Sequence, residues 1–512
     1  MTIKTFLRAA LVVLTASGIG AAAAAQPHQP AAQHKAEHPP ASAPHPATAS
    51  GPGILRLLPG DSVTQHTIQT PDGKLAYTAT AGTLPLYGES GEQIASIFYT
   101  AYVKKNAGPD RPITFAFNGG PGAASAFLHL GLVGPRILDL GQHAHEAAHA
   151  KLVDNPDTWL RFTDLVLIDP IGTGWSRTVK SSDAKGFWSV DGDAESMAKA
   201  VALYIARNNR DGAPKYLLGE SYGGFRAAKV ARKLESDQGI VPAGIVMLSP
   251  LLEGWLTFGD DESALNSALL LPSLAAAKLA RNHNFTPEKL KAAENYALGD
   301  YLSTLAKAPP QGAAAKAFYA KVADVSGLPL DLVTRQQGFV NRGVVKNLLA
   351  KENKIVSHYD ATFAVDDPFP ERRSEHEPDP ILDSVARAYG GAFAAYARNE
   401  LGFKTPMTYK LLANDVTRHW KWDGSRASVG VAGDLRVLLS FNSSFRLFIA
   451  HGLSDLVTPF GATQYVLDHM PALPPKGRIT FKLYPGGHMI YLDPASRKAF
   501  TADAATFYRA GE

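Results

Sequence analysis

Lys215-Tyr216-Leu217-Leu218-Gly219-Glu220-Ser221-Tyr222-Gly223-Gly224-Phe225 decides how the rest of the chain is read. Tyr216, Leu217 and Leu218 form a short apolar run, the signature of a buried strand. Beyond Gly224, Phe225, Ala228, Val230 and Leu234 lie in an apolar-periodic helical stretch, with Arg226, Lys229, Arg232 and Lys233 interspersed. Between the two sits Gly-x-Ser-x-Gly. Small residues on both sides of Ser221 let a strand turn sharply into a helix, which holds the serine strained and exposed. The helix N-terminus favours negative charge developing beside it. On these five residues alone, an ordinary strand-to-helix turn remains the competing reading.

Outward from this turn, further apolar runs lie at 94–103, 113–117, 165–168, 245–248, 447–449 and 479–483. Several precede Gly/Asn/Ser-rich turns and helical patterns. Short buried strands alternating with helices predict an α/β fold with a mostly parallel central sheet and flanking helices. Residues 255–430 are Ala/Leu/Lys-rich and helical in period, which predicts a largely helical cap inserted into a core of 54–254 plus 431–512.

A nucleophilic serine needs a base, and the base needs an orienting carboxylate. His451-Gly452-Leu453-Ser454-Asp455 follows the run at 447–449, and Tyr484-Pro485-Gly486-Gly487-His488 follows the run at 479–483. Ser221, Asp455 and His488 stand in the chain order of the α/β-hydrolase fold, each past the end of a predicted strand. Asn118-Gly119-Gly120-Pro121-Gly122 follows the run at 113–117. Its glycines let backbone N–H groups face a ligand, so the Gly120 and Tyr222 N–H groups are the candidate oxyanion hole. The chemistry needs no cofactor and no metal.

Composition limits the alternatives. With 45% hydrophobic and 19% charged residues the chain is globular, and its 512 residues are ample to bury a core. A net charge of +4 argues against nucleic acid as a partner. The absence of cysteine excludes disulfides, cysteine-ligated metal sites and thiol catalysis. Residues 1–25 read as a secretory signal peptide: Lys4 and Arg8, a short apolar stretch, then Ala23-Ala24-Ala25 before Gln26. Residues 26–53 are rich in Pro, Ala and His (His28, His34, His38, His45) and read as a flexible tether. An exported protein, periplasmic or extracellular, with no membrane contact after cleavage is expected.

At this point the chain resembles the serine carboxypeptidase family, in its bacterial-type form. The resemblance rests on Asn118–Gly122, on Asn155-Pro156-Asp157-Thr158-Trp159, on Asp169-Pro170-Ile171-Gly172-Thr173-Gly174-Trp175-Ser176, on Glu220-Ser221-Tyr222-Gly223-Gly224, and on the aspartate and histidine motifs. These run over about 110–254 and 445–492. The resemblance implies release of C-terminal residues from peptides with a free C-terminus. It implies that Asn118, the Gly119 backbone and Glu220 recognise the terminal carboxylate, and that the chain is a monomer or homodimer. Burial would push Glu220 toward its neutral form, which fits a preference for acidic conditions. Three positions depart from the family pattern. Ala116 stands where a tryptophan is usual, Ala123 where a cysteine is usual, and Leu132 where a second glutamate is usual. They leave the hydrolase chemistry intact and put strict exopeptidase selectivity in question.

Rival readings stay open. An esterase, acyltransferase or other serine hydrolase would use the same triad. A catalytically dead binding scaffold would share the fold. His145-Glu146-Ala147-Ala148-His149 fits the zinc signature His-Glu-x-x-His. Its flanks suggest the polar tip of a hairpin instead of the helix that zinc chemistry needs. Trp420-Lys421-Trp422 and Asp366-Asp367 are candidate cleft residues within the insertion.

Overall fold

Each apolar run read from the sequence is a strand in the computed structural model, which describes residues 51–141, 147–371 and 378–511. The expected signal segment and nearly all of the tether lie outside the described residues, as do His145 and Glu146.

The strands of the central sheet are β1 (Ser62–Thr70), β2 (Gly73–Tyr87), β3 (Gln93–Lys104), β4 (Ile113–Phe117), β5 (Asp164–Ile168), β6 (Arg177–Thr178), β7 (Lys215–Glu220), β8 (Gly244–Leu248), β9 (Arg446–Gly452) and β10 (Ile479–Tyr484). They form one ten-stranded sheet in the order β1-β2-β3-β5-β4-β7-β8-β9-β10, with β6 paired to β3. From β5 through β10 every neighbouring pair in that order is parallel. The β1–β2–β3 extension is antiparallel, and β3 joins β5 antiparallel. β4, β5 and β8 are buried along their whole length, as strands covered on both faces must be.

Alternate strand residues enter two cores. On one face Ile113, Phe115, Val166, Leu217, Ile245 and Ile449 pack against helices α1 (Val190–Arg207) and α2 (Tyr222–Gln238). On the other, Phe98, Leu165, Tyr216, Val246 and Phe448 pack against α3 (Ala388–Asn399) and the C-terminal α4 (Pro494–Arg509). The insertion is mostly helical, and its parts pack in different places, with Leu256, Val416 and Val429 entering the first sheet core. Its first part builds a separate cluster around Leu271, Leu274, Tyr301 and Val333. Residues 381–411 instead complete the second sheet core, where Phe393 and Trp175 pack 5.9 Å apart. Residues 255–430 are therefore only partly a cap over the core.

The apolar stretches on either side of His145–His149 pair with each other, while the expected tip lies partly outside the described residues. Strand Arg136–Asp139 pairs antiparallel with Lys151–Asp154, and Ala147–His149 is a short 3-10 turn before the return strand.

Candidate active site

β7 runs into the turn and α2 leaves it, with Ser221 at φ +62°, ψ −127°. A non-glycine residue is strained there by roughly 1–3 kcal/mol. The surroundings hold it in place. Ser221 N–H donates to the Leu248 carbonyl at 2.9 Å, and its own carbonyl accepts from Gly224 N–H at 2.9 Å. The flanking glycines are a packing requirement. A Cβ on Gly219 would stand 1.9 Å from the Gly223 oxygen, and one on Gly223 would stand 2.5 Å from the Phe117 oxygen.

Loops after β9 and β10 bring Asp455 and His488 together. His488 Nδ1 lies 2.8 Å from Asp455 Oδ2, with both side chains buried. Asp455 also accepts from Val457 N–H at 2.7 Å, Thr458 N–H at 3.1 Å and the Thr458 hydroxyl at 2.9 Å. Burial works against its charge, but His488 and these donors outweigh it and hold the carboxyl below its usual pKa. Burial likewise disfavours a charged His488. The charge and hydrogen bond of Asp455 prevail and raise the imidazole above its usual value. With the proton on Nδ1, facing the carboxylate, Nε2 is left as the acceptor. Thr458, which no sequence motif marks, places its hydroxyl 2.9 Å from both Asp455 Oδ2 and the Ser249 carbonyl, so its one proton serves either acceptor and the residue lies between this pair and the end of β8.

Ser221 and His488 line one cavity of about 460 Å³, together with Asn118, Gly119, Gly120, Glu220 and Tyr222. Among the described residues no hydrogen bond yet joins Ser221 to His488, and catalytic contacts of this kind often tighten only when substrate binds. Gly120 has φ +104°, and neither its N–H nor that of Tyr222 is taken by a partner among the described residues. A Cβ on Gly119 would lie 2.6 Å from both the Tyr222 and Gly223 nitrogens. The glycine loop and the elbow therefore touch backbone to backbone.

Glu220 is buried at the cavity wall. Asn118 Nδ2 donates to its Oε2 at 2.7 Å, and the Tyr491 hydroxyl donates at 3.0 and 3.1 Å. Burial pushes its carboxyl up to about 7, against the pull of His488 and of these two donors. Tyr491 was not singled out in the sequence. Gly131 gives it room, since a Cβ there would meet the Tyr491 ring at 2.5 Å. Ala116 and Leu132 are fully buried and apolar.

Arg226, read in the sequence as one of several basic residues on a helix, is completely buried. Its Nε donates to Asp193 Oδ2 at 2.6 Å, and Nη1 donates to the Asn118 carbonyl. Of the candidate cleft residues, Trp422 lines the cavity and Trp420 packs edge-on against Tyr222 at 5.3 Å. Asp366 ends a short strand in the insertion and Asp367 follows it, so neither lines the cavity.

The remaining motifs are braces. Asn155 Nδ2 donates to the Leu132 and Gly134 carbonyls at 2.9 and 2.8 Å, and the Thr158 hydroxyl donates to the Val133 carbonyl at 2.8 Å. Asp169 accepts from Ser125 N–H at 2.8 Å, fastening the loop after β5 to the chain beyond Gly122.

Residues 76–241 match the sequence model of the serine carboxypeptidase family. The pheromone-processing carboxypeptidase KEX1 of Cryptococcus gattii is 33% identical over 155 residues, which are 28% of this chain and 22% of that protein. Serine carboxypeptidase-like 44 of Arabidopsis thaliana is 28% identical over 31% of each chain. The chain thus spans less than a third of the length of these curated relatives. The crystal structure of the prohormone-processing carboxypeptidase Kex1 from Saccharomyces cerevisiae superposes over 85% of this chain and 92% of its own. The TM-score is 0.53 at 15% identity, which is a likeness of fold. Over residues 76–241 the chain is therefore similar in sequence to the serine carboxypeptidase family, and its fold is like that of the Kex1 carboxypeptidase.

Proposed function

We propose that this chain is an exported serine carboxypeptidase that releases C-terminal residues from peptides through an acyl-enzyme. The observation that carries the reading is Glu220, a buried carboxyl beside the nucleophile, held by Asn118 and Tyr491 and shifted to about 7. An ionised carboxylate there would repel a substrate's terminal carboxylate. A protonated one donates a hydrogen bond to it.

The proposed reaction assigns each of these groups a step. Ser221 Oγ attacks the scissile carbonyl carbon, and its proton passes to His488 Nε2. Asp455 stabilises the imidazolium. The oxyanion is received by the Gly120 and Tyr222 N–H groups. As the tetrahedral species collapses, His488 returns the proton to the leaving amine and the C-terminal residue departs. Water then attacks the acyl-Ser221 ester with His488 as base, which frees the shortened peptide and restores the hydroxyl. Export rests on residues 1–25; no helix among the described residues is long and apolar enough to cross a membrane.

The test is a blocked dipeptide offered as its free acid and as its C-terminal amide. A preference of at least ~100-fold in kcat/KM for the acid is expected, the scale of a charged hydrogen-bonded contact. Equal rates would overturn the exopeptidase reading in favour of a broader serine hydrolase.

The pH profile gives a second check. His488 must be neutral to act as base, so activity rises with pH through its pKa on any substrate. Neutral Glu220 is needed only for the terminal carboxylate, so free-acid cleavage falls again as pH passes about 7. Glu220→Gln should remove the alkaline fall, and an ester substrate should never show it. An unchanged fall in Glu220→Gln would assign it to another group.

Gly119→Ala probes the oxyanion loop. The added methyl lands against the Tyr222 nitrogen, so the loop must retreat. Loss of one donor's alignment lowers kcat by about 10²- to 10³-fold. Stopped-flow acylation rates read this directly, and an unaltered rate would remove the loop from the proposed hole.

A further inference from the structure

The cavity lining carries two cations that the proposed mechanism does not use. Arg342 begins a short 3-10 helix, Arg342–Asn347, and Arg426 lies in the loop beyond Trp422. Both line the same cavity as Ser221 and His488. Both stack on one ring: the Arg426 guanidinium carbon is 3.6 Å from the Phe258 centroid, and that of Arg342 is 5.4 Å away. Trp422 adds a second ring 5.8 Å from Arg426. Guanidinium planes held on aromatic faces are pre-organised for bidentate recognition of a carboxylate.

Neither guanidinium has a carboxylate partner or a hydrogen-bond acceptor among the described residues. The acidic groups nearby are otherwise engaged. Asp379 accepts from the Ser357 hydroxyl and from the His358, Ile381 and Leu382 N–H groups, and it sits 3.6 Å from His358 Nδ1. Glu220 is held by Asn118 and Tyr491, and Asp455 by His488. Asp261 and Asp455 act on Arg342 only through space. Burial, and then repulsion by Arg342, pull Arg426 down to about 10, which leaves it charged at neutral pH, and burial lowers Arg342 from its usual value. Asp379 and Glu220 line the same cavity but are engaged by other donors, so the two guanidiniums have no direct carboxylate partner among the described residues, an arrangement that a bound anion relieves.

We propose that Arg342 and Arg426, stacked on Phe258, form a carboxylate-binding subsite that selects substrates with an acidic group next to the scissile bond. This rests on the carboxypeptidase reading above. An Asp or Glu side chain and the terminal carboxylate itself offer the same chemistry, and the experiment separates them.

Blocked dipeptides carrying Glu or Gln at the last or the penultimate position are compared as free acids and amides. The expected result is at least a ten-fold higher kcat/KM for Glu than Gln at one of the two positions. That ratio falls to near one in Arg342→Gln/Arg426→Gln, and it is intermediate in Arg342→Lys/Arg426→Lys, which keeps the charges but loses the forked geometry. If Glu and Gln are cleaved equally but the Gln variant loses the preference for acid over amide, the subsite holds the terminal carboxylate. Equal cleavage with that preference intact in the variant overturns the subsite while leaving the carboxypeptidase reading in place. If no free acid is cleaved at all, the carboxypeptidase reading fails by itself. Calorimetric binding of the same peptides to the Ser221→Ala protein then decides the subsite: tighter Glu binding that the arginine variant abolishes supports it, and equal binding overturns it.

Discussion

Ser221→Ala is expected to lower kcat/KM by about 10⁶-fold while the protein stays folded. The size follows from how the three groups act. In the proposed mechanism Ser221 supplies the nucleophile, His488 the proton transfer and Asp455 the orientation, and the three act as a unit. His488→Ala should therefore be about as damaging as Ser221→Ala, and the double variant little worse than either. Asp455→Asn should be milder, at about 10⁴-fold, because the amide keeps the shape of the carboxylate but holds the wrong tautomer. Stability should move little in Ser221→Ala. The serine is only partly buried, and the hydrogen bonds that hold the turn are made by its backbone. Active-site titration with a serine-directed phosphonate gives the companion measurement: stoichiometric labelling in the parent and none in the variant. Turnover persisting within ten-fold of the parent would show that the bond is broken by another group.

What the sequence made legible follows from the kind of signal each element carries. β4, β5, β7 and β8 are short and built around apolar runs, so hydrophobic pattern locates them to within a few residues. Ser221, Asp455 and His488 each follow such a strand, which is why spacing and order find them. β1 and β2 are hard to read from sequence because the buried side of β2 mixes Leu75 and Tyr77 with the small residues Ala79 and Ala81, and β1 is largely polar. The one plain signal there is Pro71-Asp72-Gly73, a turn sequence that closes the hairpin with Gly73 at φ +107°. Tyr491 and Thr458 were missed for a different reason. Their importance comes from what lies across from them, Glu220 for Tyr491 and the Ser249 carbonyl for Thr458, and one-dimensional pattern cannot register partners 271 and 209 residues away. The cap was read as one body because helical period says nothing about which surface a helix covers. Only packing separates the cluster around Leu274 from the helix Ala388–Asn399, which belongs to the sheet.

Arg226 is the largest departure from the sequence reading, and it yields the second large expected effect. Helical periodicity mixed it with Lys229, Arg232 and Lys233, which reach water. In the fold its side chain is 0% exposed, and its partner Asp193 is 4% exposed. Burial raises the Asp193 carboxyl while Arg226 pulls it down, so the aspartate depends on its partner. Arg226→Met leaves that carboxyl buried and alone, which destabilises the fold by about 3–5 kcal/mol. Removing both charges, in Arg226→Met/Asp193→Ala, should recover at least half of that loss, because buried ion pairs contribute little net stability over apolar replacements. Activity should not recover with it. Arg226 also donates to the Asn118 carbonyl and lies 5.1 Å from the Tyr222 ring, so it fixes the glycine loop against the elbow. With that tie gone, the Gly120 and Tyr222 N–H groups lose their common aim, and kcat should stay about 10²-fold low in the double variant. Denaturant unfolding and steady-state kinetics on the same preparations separate the two roles. A double variant that regains both stability and turnover would reduce Arg226 to a structural ion pair; stability without turnover makes it the residue that positions the oxyanion loop.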